Sequence, residues 1–299
     1  MSQSTKCGYV ALIGAPNAGK STLMNQILGT KVSIVTHKVQ TTRSRIVGVW
    51  NQNKTQIVFI DTPGIFVPKR RLERAMVSAA WIGAADTDAL VHIVDASNSS
   101  DQNVQLINES LVNRAQKIFL VLNKIDRVER SKLLELSKRL SASGVFENVF
   151  MISALSGDGV QDLVATLEEL MPSGPWLYPD DHLSDMQERL FAAEITREKV
   201  FLQLHQELPY SITVETEEWR VQEDGRITIK QVVYVTRKGQ RGILLGKGGQ
   251  QIKRIGMAAR KELESLLECQ INLFLFVKVR ENWHDDPERY KEMGLDFIN

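Results

Sequence analysis

Residues Gly14-Ala15-Pro16-Asn17-Ala18-Gly19-Lys20-Ser21, followed by Thr22, place two glycines, a lysine and a hydroxyl at the spacing G-x-x-x-x-G-K-[ST]. Those residue types at that spacing suit the binding of phosphates. Successive backbone N–H groups converge on phosphate oxygens, the Lys20 ammonium reaches the outer phosphates, and Ser21 offers a hydroxyl to Mg²⁺. A second cluster, Asp61-Thr62-Pro63-Gly64, supplies a carboxylate suited to holding Mg²⁺ through water and a glycine N–H for a terminal phosphate. A third, Asn123-Lys124-Ile125-Asp126, ends in a carboxylate that can accept from guanine N1–H and N2–H₂, a donor pair adenine lacks. Asp126 is thus the expected guanine selector, with Asn123 and Lys124 tying the base loop to the phosphate loop. Ser153-Ala154-Leu155 offers backbone N–H groups to guanine O6.

Between the first two clusters, residues 30–45 are polar and lack an apolar period. His37, Lys38, Gln40, Thr41, Thr42 and Arg43 fall here. Such a loop is expected to be ordered by a γ-phosphate and its Mg²⁺ and released on hydrolysis, with Thr42, favoured over Thr41, as the hydroxyl handle.

These clusters need elements to carry them. Apolar runs at 8–13, 46–50, 56–60, 89–94, 117–122 and 149–152 read as strands. Three- and four-residue apolar spacing at 22–28, 72–81, 104–114, 133–140 and 160–170 predicts helices between most of them. The alternation predicts a doubly wound, mostly parallel sheet with ligands at the carboxyl ends of its strands, where each cluster falls.

In this order the clusters resemble the five G motifs of translation-factor-related GTPases. The resemblance covers roughly half the chain and implies a P-loop α/β domain over 1–172 that hydrolyses GTP to GDP, with Lys20, Asn17, Thr42 and Gly64 assisting and Ser21, Thr42 and Asp61 on the metal. Two departures from the Ras pattern stand out. Ile65 occupies the place of a glutamine that orients the attacking water, which implies slow intrinsic hydrolysis or help from another group. Asn17 resembles the asparagine that helps hold K⁺ in cation-activated relatives.

Four prolines and glycines, Pro172, Gly174, Pro175 and Pro179, break the helical pattern, and 173–182 reads as a stiff linker. Beyond it, 183–208 is helical in pattern up to Pro209, and 211–221 and 226–236 are β-rich runs joined at Asp224-Gly225. A G-x-x-G loop, Gly246-Lys247-Gly248-Gly249, then leads into a helical stretch reaching about Glu268, and 270–279 reads as a strand. This order resembles a bacterial-type (type II) KH domain, a smaller α+β unit over 183–299. Its loop would clamp single-stranded RNA backbone. Ten basic residues and no acidic one between Arg226 and Lys261, Lys253 and Arg254 among them, give an independent phosphate-binding footprint.

The whole chain adds exclusions. With 37 basic and 36 acidic residues, net charge points to no partner, and 43% hydrophobic with 24% charged residues describes a globular protein. Cys7 and Cys269 are too few for a disulfide framework, which fits a reducing cytoplasm. No apolar run approaches the ~18 residues of a spanning helix.

A GTPase domain followed by a KH domain resembles the Era-type GTPase family across nearly the whole length. The resemblance implies GTP and GDP as ligands, Mg²⁺ and K⁺ as cofactors, a monomer, and a role in small ribosomal subunit assembly near the 3′ end of 16S rRNA. It also implies a cytoplasmic location with partial peripheral contact at the inner membrane face. Two other readings stay open: a GTP-gated RNA-binding module with incidental hydrolysis, and a tRNA-modifying, cation-activated GTPase.

Overall fold

Val10, Leu12 and Ile13 are fully buried, as are Ile57, Val58 and Phe59. Continuous apolar runs of this kind suit strands covered on both faces. They form β1 (Lys6–Ile13) and β3 (Thr55–Asp61) in a computed structural model that describes residues 5–100, 102–204 and 211–298. With β2 (Ile46–Gln52), β4 (Ala89–Asp95), β5 (Lys117–Asn123) and β6 (Asn148–Met151) they make a six-stranded sheet of order β2-β3-β1-β4-β5-β6. Only β2 runs antiparallel, paired with β3 through Ile46↔Asp61.

The helices are α1 (Lys20–Leu28), α2 (Arg71–Gly83), α3 (Gln102–Leu111), α4 (Arg130–Ser141) and α5 (Val160–Leu170). Ala80 of α2 and Ile107 and Leu111 of α3 close one core with Ile13, Ile60 and Leu90. Leu133, Leu136 and Leu140 of α4 pack on Val94, Leu120 and Leu122. The carboxyl ends of β1, β3 and β5 therefore open on one edge, and each carries one of the clusters read from sequence.

The stretch 173–182, expected as a linker, lies against the β2–β3 hairpin. Asn51 Nδ2 donates to the Asp180 carbonyl at 2.8 Å, and Trp176 Nε1 to that of Lys54 at 3.1 Å. The expected helix over 183–208 begins later, as α6 (Glu188–Gln203). Its first residues are used elsewhere: Val49 N donates to the Leu183 carbonyl at 2.9 Å and Ser184 Oγ to that of Val47 at 2.8 Å. The Pro209 stop lies outside the described residues.

The chain divides into two compact units, Met1–Asp185 with Tyr290–Asn299, and Met186–Arg289. In the second, β7 (Ile212–Val221) pairs antiparallel with β8 (Ile227–Val235), which pairs parallel with β9 (Ile271–Val279). Ala193 and Val200 of α6, Leu244 of α7 (Lys238–Leu245) and Ile255 of α8 (Gln250–Leu266) pack on Val214, Val233 and Val235. The apolar side of α6 is thus core. Among the described residues no helix is long and apolar enough to cross a membrane.

Candidate functional site

Gly19 sits at φ 101°, a left-handed conformation that glycine adopts without strain, directly before α1. The turn aims the loop 14–19 over the end of β1. Lys20 is buried and donates to the Gly14 and Ala15 carbonyls at 3.1 and 3.0 Å. Burial pulls its ammonium down to about 8, against the attraction of Asp61. A buried cation facing its own loop's carbonyls suits the binding of an anion.

Asp61, fully buried at the end of β3, accepts from Ser21 Oγ at 2.6 Å through Oδ2. Ser21 Oγ in turn lies 3.0 Å from Thr42 Oγ1. The three residues expected on Mg²⁺ therefore meet at one point. Burial pushes the Asp61 carboxyl up, opposed by Lys20 and by the Ser21, Ser33 and Thr42 hydroxyls. Asp61 Oδ1 is buried with no partner among the described residues. An open carboxylate oxygen beside two hydroxyls fits a hydrated Mg²⁺. Of the two threonines, Thr42 joins this group, whereas Thr41 turns to Thr36 Oγ1 and the Lys38 carbonyl, each at 2.6 Å.

Loop 30–45 forms no helix or strand, and its residues 34–42 line the same cleft as the phosphate loop. Asn17, at φ 63°, donates from Nδ2 to the His37 carbonyl at 2.9 Å. Gln40 Nε2 reaches Glu73 Oε1 on α2 at 3.0 Å. Thr62 Oγ1 donates to the Leu12 carbonyl at 2.8 Å, and Pro63 and Gly64 follow. Gly64 packs so near Pro16 that a Cβ would lie 2.9 Å from its Cα. Ile65 is fully buried in the core, and its N–H donates to the Gly14 carbonyl at 3.1 Å.

Asn123 joins the loops: Nδ2 donates to the Ala18 carbonyl at 2.8 Å and Oδ1 accepts from Ala154 N at 2.9 Å. Lys124 does not share that tie. Its left-handed backbone, φ 66°, turns the side chain to Asp95 at the end of β4, 2.5 Å away. The Lys124 ammonium and Ser97 hold the Asp95 carboxyl below the usual carboxylate range despite partial burial. Asp126 Oδ1 accepts from Ser153 Oγ at 2.7 Å. The Ser153 N–H goes to the Asp158 carbonyl at 2.9 Å and the Ala154 N–H to Asn123, so two of the three N–H groups expected on guanine O6 are engaged within the protein. Leu155 is exposed beside them. Residues 15–22, Thr42, Gly64, Asn123, Lys124, Asp126 and 153–155 line one cleft of about 560 Å³.

In the second unit, Gly248 and Gly249 take φ 59° and 78°, and α8 starts at Gln250 with its first turn free of acidic residues. Lys247 and Lys253 are exposed beside Gly246 and the loop. Arg254 donates to Gln203 Oε1 at 3.0 Å and Gln251 Oε1 at 3.2 Å. The ten-residue basic footprint is smaller than its sequence suggests, because Arg226 pairs with Asp224 at 2.5 Å and Lys230 with Glu218 at 2.7 Å. Both partners lie in β7 or the turn after it, outside the stretch counted.

Family models match both units, "50S ribosome-binding GTPase" at residues 9–124 and "KH domain" at 207–284. GTPase Era of Brucella suis biovar 1 is 57% identical over 98% of this chain and 94% of its own length. The chain belongs to the Era family of GTPases. GTPase Era of Rhizobium meliloti is 56% identical over the same share of each chain. A crystal structure of Era in complex with MgGDPNP and nucleotides 1506–1542 of 16S ribosomal RNA superposes with a TM-score of 0.93 at 37% identity, covering 97% of this chain and 99% of that one. A point variant of Aquifex aeolicus Era bound to GDP and AlF₄⁻ superposes with a TM-score of 0.92 at 37% identity, with the same coverage of each chain. The P-loop domain with its mostly parallel sheet, followed by the small mixed sheet of a KH domain, is the Era architecture, and the chain is a GTPase.

Proposed function

We propose that the chain is a GTP switch in small ribosomal subunit assembly, holding the 3′ end of 16S rRNA through its KH unit. The observation that carries this reading is the meeting of Asp61, with its open buried oxygen, with Ser21, Thr42 and Lys20 in a chain that also presents a glycine loop flanked by cations. The solved relative that holds MgGDPNP and 16S rRNA spans the same length, which supports it.

Residues 14–22 hold the phosphates, with Lys20 leaving the loop carbonyls to neutralise them. Ser21, Thr42 and Asp61 would hold Mg²⁺, which when bound would supply charge neutralisation to the phosphates. Thr62 and Pro63 set the turn that points the Gly64 N–H at the terminal phosphate. Asn123, Lys124 and Asp126 hold guanine, with residues 153–155 as the wall beside it. Ile65 is buried and cannot orient water, so catalysis here is positioning and charge neutralisation, and intrinsic hydrolysis is slow. Asn17 donates through its nitrogen, which leaves Oδ1 for K⁺. Equal hydrolysis rates in K⁺ and Na⁺ buffers would remove that assignment. Gly246, Lys247, Gly248, Gly249, Lys253 and Arg254 take the RNA backbone. A monomeric state and a cytoplasmic location with peripheral contact at the inner membrane belong to the same reading, the last tested by flotation with anionic vesicles.

The main test is cross-linking and sequencing of RNA bound to the purified chain, loaded with GDP or with a non-hydrolysable GTP analogue. Enrichment of the 3′ end of 16S rRNA with the analogue, lost in Gly248→Asp, is expected. Nothing lies within 4 Å of a Cβ at Gly248, and aspartate is one of the few side chains that visit its left-handed φ of 59°, so that variant adds a negative charge without a clash and at a modest backbone cost. Diffuse binding that ignores the nucleotide would overturn the reading.

A further inference from the structure

The root of loop 30–45 is fixed by a residue that no motif includes. Asn25 lies on α1, four residues beyond Ser21 and so on the same face. Its Oδ1 accepts from the Val32 and Ser33 N–H groups, both at 3.0 Å, and its Nδ2 donates to the Ser33 carbonyl at 2.8 Å. These bonds fix the backbone of Ser33, which is 1% exposed, and its hydroxyl donates to Asp61 Oδ2 at 2.9 Å.

Asp61 thus receives two hydroxyls on one oxygen, Ser21 from α1 and Ser33 from the loop, while Oδ1 has no partner among the described residues. The outer torsion of an aspartate is broad, so a single donor leaves the carboxylate free to pivot. Two donors from separate elements fix its plane. The oxygen left open is then always the same one.

We propose that Ser33, held by Asn25, is a positioning residue for the metal carboxylate: it orients Asp61 so that Oδ1 receives the hydration shell of Mg²⁺, and it sets the Mg²⁺ concentration at which nucleotide is retained. This inference rests on the Mg²⁺ assignment of Asp61 above. It gives the beginning of the loop a fixed role and leaves the segment after Ser33, which carries Thr42, as the part that answers to the nucleotide.

The test uses the full chain loaded with a fluorescent GDP. Two quantities are read: the Mg²⁺ concentration at half-maximal nucleotide retention, and the dissociation rate in EDTA. Ser33→Ala is expected to raise the Mg²⁺ midpoint about tenfold, the scale of one hydrogen bond to a charged group, and to leave the metal-free rate unchanged. A role confined to loop packing would instead raise the metal-free rate by the same factor, and that result overturns the proposal, as does an unshifted midpoint. Ser33→Cys, nearly isosteric and a weak donor, gives the same comparison if the alanine variant fails to fold. If the unmodified chain holds nucleotide equally well with and without Mg²⁺, the metal assignment fails and this inference with it; Mg²⁺ dependence in the unmodified chain with no shift in the variants removes the inference alone.

Discussion

The Asn123 carboxamide fills the space that a side chain on Gly19 would need: a Cβ there would lie 2.2 Å from Asn123 Nδ2. The phosphate loop and the base loop are packed against each other at this point, and Asn123 bonds both Ala18 and Ala154 from it. Gly19→Ala meets two penalties together, a left-handed backbone at φ 101° and displacement of Asn123. Together they amount to about 2–3 kcal/mol. Calorimetry should show nucleotide affinity falling roughly a hundredfold on that scale, with RNA affinity of the second unit preserved. A loss of only two- or threefold would mean that the contact does not hold the site together.

Lys20 gives the nucleotide-free protein a distinct pH response. Burial lowers its folded value to about 8 from the ordinary 10.5. Between about 8 and 10.5 the unfolded chain therefore holds more protons, so the empty protein gains stability as pH rises through that window. Below it the buried charge opposes folding in full. Thermal unfolding from pH 7.5 to 10 should show the rise in the unmodified chain and a flat profile, apart from other groups' shared slope, in Lys20→Met. Bound phosphates would restore the charge, so nucleotide binding above about pH 8 should take up a proton. Calorimetry in buffers of different ionisation enthalpy reads that proton directly.

Asp126 is held by Ser153 Oγ at 2.7 Å while its side chain stays 40% exposed. Asp126→Asn exchanges an acceptor for a donor and should shift preference from guanine to xanthine nucleotides, read as the ratio of GDP to XDP affinity. Ser153→Ala leaves that preference in place and weakens guanine nucleotide binding about fivefold, less than a fully buried bond would give because solvent competes at the carboxylate. Inversion of the ratio by the serine variant would contradict this division of roles.

The three main clusters were legible because each sits on a loop directly after an apolar strand, where residue type and spacing alone define the chemistry. Thr42 could be preferred over Thr41 from position, and the structure separates them by their partners. Ser33 and Asn25 left no signal: their bonds join residues 7, 8 and 28 positions apart through a loop without periodicity. Lys124 reads in sequence as a second tie to the phosphate loop, because sequence cannot show that its backbone is left-handed or that Asp95 ends the neighbouring strand. The helical pattern starts five residues before α6 because Leu183 fits a helical period equally well, and only β2 shows that its carbonyl is already used.

Gln56 carries the least expected contact of all. It is a fully buried polar residue in β3, and its Oε1 accepts from Leu177 N at 2.8 Å and Tyr178 N at 3.0 Å while Nε2 donates to the Tyr178 carbonyl at 2.9 Å. One side chain thereby replaces a strand partner for the stretch after α5. Gln56→Leu keeps the volume and removes these three bonds, along with those to Asn51 Oδ1 at 3.0 Å and from Cys7 Sγ at 3.5 Å, leaving the Leu177 and Tyr178 backbone groups without partners, at about 3 kcal/mol. Local opening of that stretch should rise roughly a hundredfold, read as chymotryptic cleavage after Trp176, the Tyr178 bond being blocked by Pro179, while GDP affinity stays within twofold. The stretch also bonds β2 at Val47 and Val49, and β2 begins at Ile46, four residues after Thr42. A Thr42 drawn toward a terminal phosphate pulls on the strand that the stretch is bonded to. Cleavage in the unmodified chain should therefore differ between GDP and a GTP analogue, and in Gln56→Leu the difference should vanish because the stretch is open in both.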